Sequence, residues 1–72
     1  MAAKADALIR KVAGSPDGVR NGVTYWALKR AVEEGHPTSV LDAIGAAAEA
    51  AGLPSREVAT IMRSALRELV SA

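Results

Sequence analysis

Ala50-Ala51-Gly52-Leu53-Pro54-Ser55 is a helix stop followed by a helix start, and the run it opens, to Ala72, decides the fold. Gly52 can take the left-handed conformation that ends a helix, and Pro54 discourages that helix from continuing. Ser55 is a natural N-cap, and Glu57 stands in the first turn, where the helix dipole favours a negative charge. Val58, Ile61, Met62, Ala65, Leu66 and Leu69 then recur at three- and four-residue steps, which puts them on one apolar face. Arg56, Thr60, Arg63 and Arg67 recur with the same period on the opposite face. One side is for a core; the other is an arginine-bearing polar stripe.

Upstream of that run the same reasoning gives three more helices. Val40, Leu41, Ile44, Ala47, Ala48 and Ala51 form the buried side of a third helix, capped by Thr38 or Ser39 after the Gly35-His36-Pro37 connection. A second helix opens at Asn21 as N-cap and runs to about Glu34, where Gly35 ends it. Its ridge is Val23, Ala27 and Ala31, widened by Trp26, Leu28 and Val32, with Lys29 and Arg30 facing outward. The first helix carries Ala5, Leu8, Ile9 and Val12 and stops near Ala13, before the turn formers Gly14-Ser15-Pro16-Asp17-Gly18. No window alternates with period two, so no sheet is expected, and no internal repeat is visible. The expected fold is all-α: one domain over residues 1–72, a bundle of four short helices near residues 3–13, 20–34, 39–51 and 55–70. The last two should form a helix-turn-helix-like hairpin. Ile9, Leu28, Ile44, Val58, Ile61 and Leu66 are expected among the most buried positions, with Trp26 as the core's anchor.

At 72 residues the chain is near the lower limit for a single self-sufficient core. Half of it is apolar, but much of that is alanine, which buries little area, so the helices must approach closely and the core must be thin. Association with a partner or a second copy could add stability, and a homodimer is one such expectation. There is no cysteine, hence no disulfide and no thiolate-bound zinc. No apolar run approaches the roughly 20 residues of a membrane span, and residues 1–6 lack the apolar core of a secretion signal, so a cytoplasmic chain is expected.

Catalytic patterns are missing. The single histidine, His36, stands in a Gly-His-Pro turn without a second histidine or a cysteine to share a metal, and reads as a solvent-exposed turn residue. Asp42 and Glu49 are seven positions apart on one helix and read as surface charges. Gly14 and Gly18 flank a proline, and no Gly-Lys-Ser/Thr follows, so no phosphate-binding loop is supported. The expectation is a protein that is not an enzyme and needs no cofactor or metal.

Charge is more informative by place than by sum. The net charge is +1, but residues 1–34 hold six basic and four acidic groups, while residues 35–54 hold two acidic groups and no basic ones. Positive charge therefore lies in the first half and on the last helix, which allows a basic patch but not a strongly basic domain.

Two resemblances bear on what such a patch would meet. Ala48 stands four residues before Gly52, with Val58 six after it and Ile61 nine after it. That spacing resembles the helix-turn-helix DNA-binding motif, in which Ser55, Arg56, Thr60 and Arg63 would project towards DNA. The second covers about residues 12–69. Gly18-Val19-Arg20-Asn21, Trp26-Ala27-Leu28-Lys29-Arg30-Ala31, Ala50-Ala51-Gly52-Leu53-Pro54, Glu57 and Thr60-Ile61-Met62-Arg63-Ser64-Ala65-Leu66-Arg67 occur in an order that resembles the primase C-terminal helical domain. That domain follows the catalytic domain of phage and plasmid primase-polymerases. Gly22 departs from it, standing where the family usually shows a second asparagine, and the acidic metal-binding polymerase domain is absent from this chain.

The resemblance implies a role in DNA replication without catalysis: engagement of a DNA template, single-stranded, and of nucleotide during primer initiation, beside a polymerase or helicase partner. The residues expected to bind nucleic acid are Arg20, Arg56, Thr60, Arg63 and Arg67. Arg20, at a helix N-terminus, could hold a phosphate, or simply be solvated beside a capping Asn21. Thr60 and Ser64 could donate to phosphates, and Trp26 could stack a base if it is not in the core. A regulatory helix-turn-helix protein for duplex DNA and a protein-interaction module, with Leu69 and Val70 extending its apolar surface, are the alternatives.

Overall fold

The computed structural model describes the backbone of residues 2–16 and 18–71 and the side chains of residues 4–16 and 18–68. The described residues form four helices: α1 (Ala2–Ala13), α2 (Arg20–Glu33), α3 (Thr38–Ala50) and α4 (Ser55–Ser71). Each lies within two residues of its expected bounds, and no described residue is in a strand. α2 and α3 form the middle of the bundle. α1 packs on both of them from one side and α4 on both from the other, with α4 leaning chiefly on α2. The Cα frame measures 29 × 26 × 17 Å, about two helix layers thick, as a core rich in alanine requires.

The two later connections are built alike. In Glu34-Gly35-His36-Pro37 and Ala51-Gly52-Leu53-Pro54 the glycine has positive φ, +77° at Gly35 and +116° at Gly52. Each closes its helix with a pair of crossed bonds. His36 N–H donates to the Ala31 carbonyl and Gly35 N–H to that of Val32; Leu53 N–H donates to Ala48 and Gly52 N–H to Glu49. This is the Schellman arrangement, and Leu53 adds its usual apolar contact by burying itself against the core. The proline two residues after each glycine then starts the next helix. Pro37 holds an extended backbone (φ −70°, ψ 164°), and its carbonyl accepts from Val40, as that of Pro54 accepts from Glu57 and Val58.

That construction displaces the expected side-chain caps. Thr38 and Ser55 are the first residues inside their helices, because the preceding proline carbonyl already begins the ladder. Asn21 is likewise inside α2, whose cap position is Val19, with no side-chain cap bond. His36 is not the solvent-exposed residue expected of a turn. The Schellman turn folds its ring inward until the side chain is 9% exposed, with Nε2 3.2 Å from the Glu34 carboxylate. Burial pushes the Glu34 carboxyl up, but the His36 hydrogen bond and the charges of Lys4 and Arg30 outweigh it, and the group lies below its ordinary value.

The core is Leu8 and Val12 of α1, Ala27, Leu28 and Ala31 of α2, Leu41, Ile44 and Ala48 of α3, Leu53, and Val58, Ile61 and Ala65 of α4. Leu28, Ile44, Val58 and Ile61 are buried as expected; Ile9 and Leu66 are not. Ile9 packs half-buried at the edge of the cluster, because α1 turns Ala5, Leu8 and Val12 inward. Leu66 is 39% exposed. The buried line of α4 is Val58–Ile61–Ala65, and at 100° per residue Leu66 is about 80° round from Val58, at the margin of that stripe.

Trp26 is a larger correction. It is 43% exposed, and no part of the core is built on it. The buried line of α2 is Thr24–Ala27–Leu28–Ala31, which keeps Ala27 and Ala31 of the expected ridge and turns it by about 50°, away from Val23 and Trp26. α2 is pressed by three neighbours, and small residues on its inner line let them approach; an indole there would hold them apart. Small residues serve α3 in the same way. Gly45 is buried, and a Cβ there would lie 3.3 Å from Val58 Cγ1 and 3.4 Å from Met62 Cε, so α4 reaches α3 across a glycine.

Candidate nucleic-acid interface

The stripe read from sequence is present on α4. Arg56, Thr60, Arg63 and Arg67 are all exposed, opposite the buried line of Val58, Ile61 and Ala65. From Arg56 to Arg67 the helix rises about 16 Å. Among the described residues, the guanidinium groups of Arg56, Arg63 and Arg67 have no hydrogen bond or ion pair within the chain, in contrast to the three arginines outside α4. Arg10 donates to the Asp6 carbonyl, Arg20 to the Ala51 carbonyl, and Arg30 pairs with Glu34 at 2.9 Å.

The acids of α4 are sorted away from its arginines. Glu57 and Glu68 lie on the flank that faces α2. Asn21 Nδ2 is 3.5 Å from Glu57, the Tyr25 hydroxyl donates to Glu68, and Lys29 Nζ lies 2.9 Å from the same carboxylate. These contacts hold Glu68 below the usual carboxylate range, first through the Tyr25 hydrogen bond and then through that of Lys29. Tyr25 is pushed up chiefly by its bond to Glu68, and Lys29 is raised by the same partner. The negative charge of the last helix is thereby spent on α2, and its outer face is left cationic.

The other candidate positions fare differently. Thr60 Oγ1 donates to the Arg56 carbonyl at 3.0 Å, so its proton is engaged by its own helix and its oxygen remains an acceptor. Ser64 is exposed in the groove between α2 and α4, which Arg56 and Thr60 also border. Arg20 does not join the stripe. It is half-buried at the first residue of α2, and its guanidinium closes over the end of α3 at Ala51 and Gly52. Ser55 is exposed at the root of α4. The side chains of Leu69 and Val70 lie outside the described residues.

Sequence reasoning missed the surroundings of Trp26. Its ring borders a recess with Gly18, Val19, Gly22 and Val23, and the Lys11 ammonium stands 5.7 Å from the ring centroid. Val19 is 49% exposed beside it. The available signal was Gly22 one helical turn before Trp26, which leaves bare backbone beside the indole. Among the described residues, no three histidine, cysteine, aspartate or glutamate side chains gather to hold a metal ion. No described helix is long and apolar enough to cross a membrane.

Comparison of the chain with protein-family models, with curated proteins and with solved structures finds no match in any of the three.

Proposed function

We propose that this chain is a non-catalytic nucleic-acid-binding module that holds single-stranded DNA on the outer face of α4. The observation that carries the reading is the contrast among its arginines. Arg10, Arg20 and Arg30 are each engaged within the fold, while Arg56, Arg63 and Arg67 stand in line with no partner among the described residues. Guanidinium groups of that kind suit phosphate oxygens, which accept their forked donors. Arg20 supports the site from behind by fixing the turn from which α4 departs. Preference for single strands and a place beside a replicative polymerase or helicase rest on the resemblance to the primase C-terminal domain.

Three phosphate contacts make a weak, salt-sensitive binder. On a single strand each contributes about −0.7 to the slope of log affinity against log salt, so a slope near −2 is expected. Anisotropy of a labelled single strand and of the matching duplex, at two salt concentrations, measures it. An Arg56→Ala/Arg63→Ala/Arg67→Ala variant that keeps its helical circular dichroism should lose both affinity and slope. Equal, weak binding of both proteins to both substrates would refute the reading. Duplex preference with sequence selectivity would instead support a helix-turn-helix regulator.

One observation favours a second reading, a homodimer. Leu66 is 39% exposed, one turn beyond the half-buried Met62. If a second copy covers it, Leu66→Lys should convert dimer to monomer in sedimentation equilibrium; a wild type that is monomeric at high concentration removes this reading.

A further inference from the structure

We propose that the recess beside Trp26 is a base-stacking subsite that takes one unstacked nucleobase of a single strand held by α4. The inference rests on the nucleic-acid reading above and extends it from the α4 groove across the start of α2.

Trp26 is the one tryptophan of the chain, and it stands at the seventh of fourteen positions in α2, a rigid mount, with 43% of its surface exposed. Gly22 is the second observation. It lies within α2 and does not have positive φ, so its conformation does not require glycine. Nor does packing, since a Cβ built there meets nothing within 4 Å among the described residues. As the third residue of α2 it stands in the first turn of the helix, where it leaves the backbone without a side chain. That bare backbone, one turn from the indole, gives a flat ligand room to approach the ring.

Charge selects the visitor. Among the described residues lining the recess, Lys11 is the one charged group, 5.7 Å from the ring centroid. An ammonium there disfavours a cationic ligand and favours a flat, uncharged ring that carries an anion beside it, which describes a nucleotide. The exposed Lys11 contact with the ring is weak and its stem is flexible, so a stacking base can displace it towards the adjoining phosphate. The recess also adjoins the arginine site. Gly22 and Trp26 border it, while their neighbours Asn21 and Tyr25 border the groove lined by Arg56, Thr60 and Glu57, the last of these with its carboxylate 3.5 Å from Asn21 Nδ2. A strand can therefore cross the first two turns of α2 from one site to the other. Duplex DNA has no free base face to offer, which gives strand preference a physical cause on this chain.

The test follows the intrinsic fluorescence of Trp26 while a labelled oligothymidylate is titrated and its anisotropy recorded. Quenching should saturate together with the anisotropy. Trp26→Ala should weaken binding by about tenfold, within the range of one base–aromatic stack, and Trp26→Phe should recover part of it. Gly22→Leu should block the subsite as Trp26→Ala does. An abasic strand of equal length should bind wild type as weakly as Trp26→Ala binds the normal strand. Binding that disappears with the α4 arginines yet ignores Trp26, Gly22 and the bases would overturn this inference alone. Absence of strand binding to the wild type overturns it together with the function on which it rests.

Discussion

The guanidinium of Arg20, the first residue of α2, donates to the carbonyl of Ala51, thirty-one residues later, where α3 ends. A helix C-terminus leaves carbonyls without intrahelical partners and carries partial negative charge. Arg20 answers both, and so joins the start of α2 to the turn that aims α4. Arg20→Met keeps the aliphatic stem but loses the bond, and should cost about 1–2 kcal/mol. For a domain of this size that lowers the melting temperature by about 5–15 °C in thermal circular dichroism. An unchanged melting temperature would show that the contact does not hold the turn.

Gly52 lies directly under that guanidinium. Its φ of +116° is strained for any residue with a side chain, and a Cβ would also run into Arg20. Gly52→Val should therefore lose about 2 kcal/mol or more. Half of that argument can be isolated: in an Arg20→Met background the loss should shrink, because only the backbone strain remains. Identical losses in both backgrounds, measured by urea denaturation, would remove Arg20 from the explanation.

Thr24 runs the other way. It is fully buried in α2, and its hydroxyl has no hydrogen-bond partner among the described residues. An unpaired buried hydroxyl is costly, and valine has nearly the same shape without it. Thr24→Val should stabilise the fold by about 1 kcal/mol and raise the melting temperature by several degrees. A destabilised variant would mean that the hydroxyl is satisfied in solution.

The clasp of Tyr25, Lys29 and Glu68 should show in the pH dependence of stability. Glu68 is lowered by the Tyr25 hydrogen bond first, so its contribution is present above the ordinary carboxylate value and is lost as pH falls through the lowered one. Tyr25 and Lys29 are raised, each first by its hydrogen bond to Glu68; their contribution is full below their ordinary values of 10.0 and 10.5 and is lost as pH rises through the raised ones. Glu68 is exposed and Tyr25 and Lys29 are only half-buried, so the effect is modest. Glu68→Gln should flatten the melting-temperature profile at both its acid and its alkaline ends. A variant profile parallel to wild type at both ends would dismiss the clasp.

The boundaries of the four helices were legible in the sequence because local chemistry writes them. Gly35 and Gly52 stop helices through backbone freedom, Pro37 and Pro54 start the next ones, and both effects act within a few residues. The outward line of Arg56, Thr60, Arg63 and Arg67 was legible for the same reason, since helical period alone sets it opposite Val58 and Ile61. Tertiary structure decided everything that depends on a neighbour's distance. Alanines and glycines permit close approach but do not say which helix approaches, so the phase of α2, and with it the exposure of Trp26, stayed open until α1, α3 and α4 were in place. The same holds for Arg20, whose acceptor is thirty-one residues away, and for Glu68, whose partners lie on α2. Period fixes the direction of a side chain on its own helix; what that side chain meets is fixed by how the helices pack.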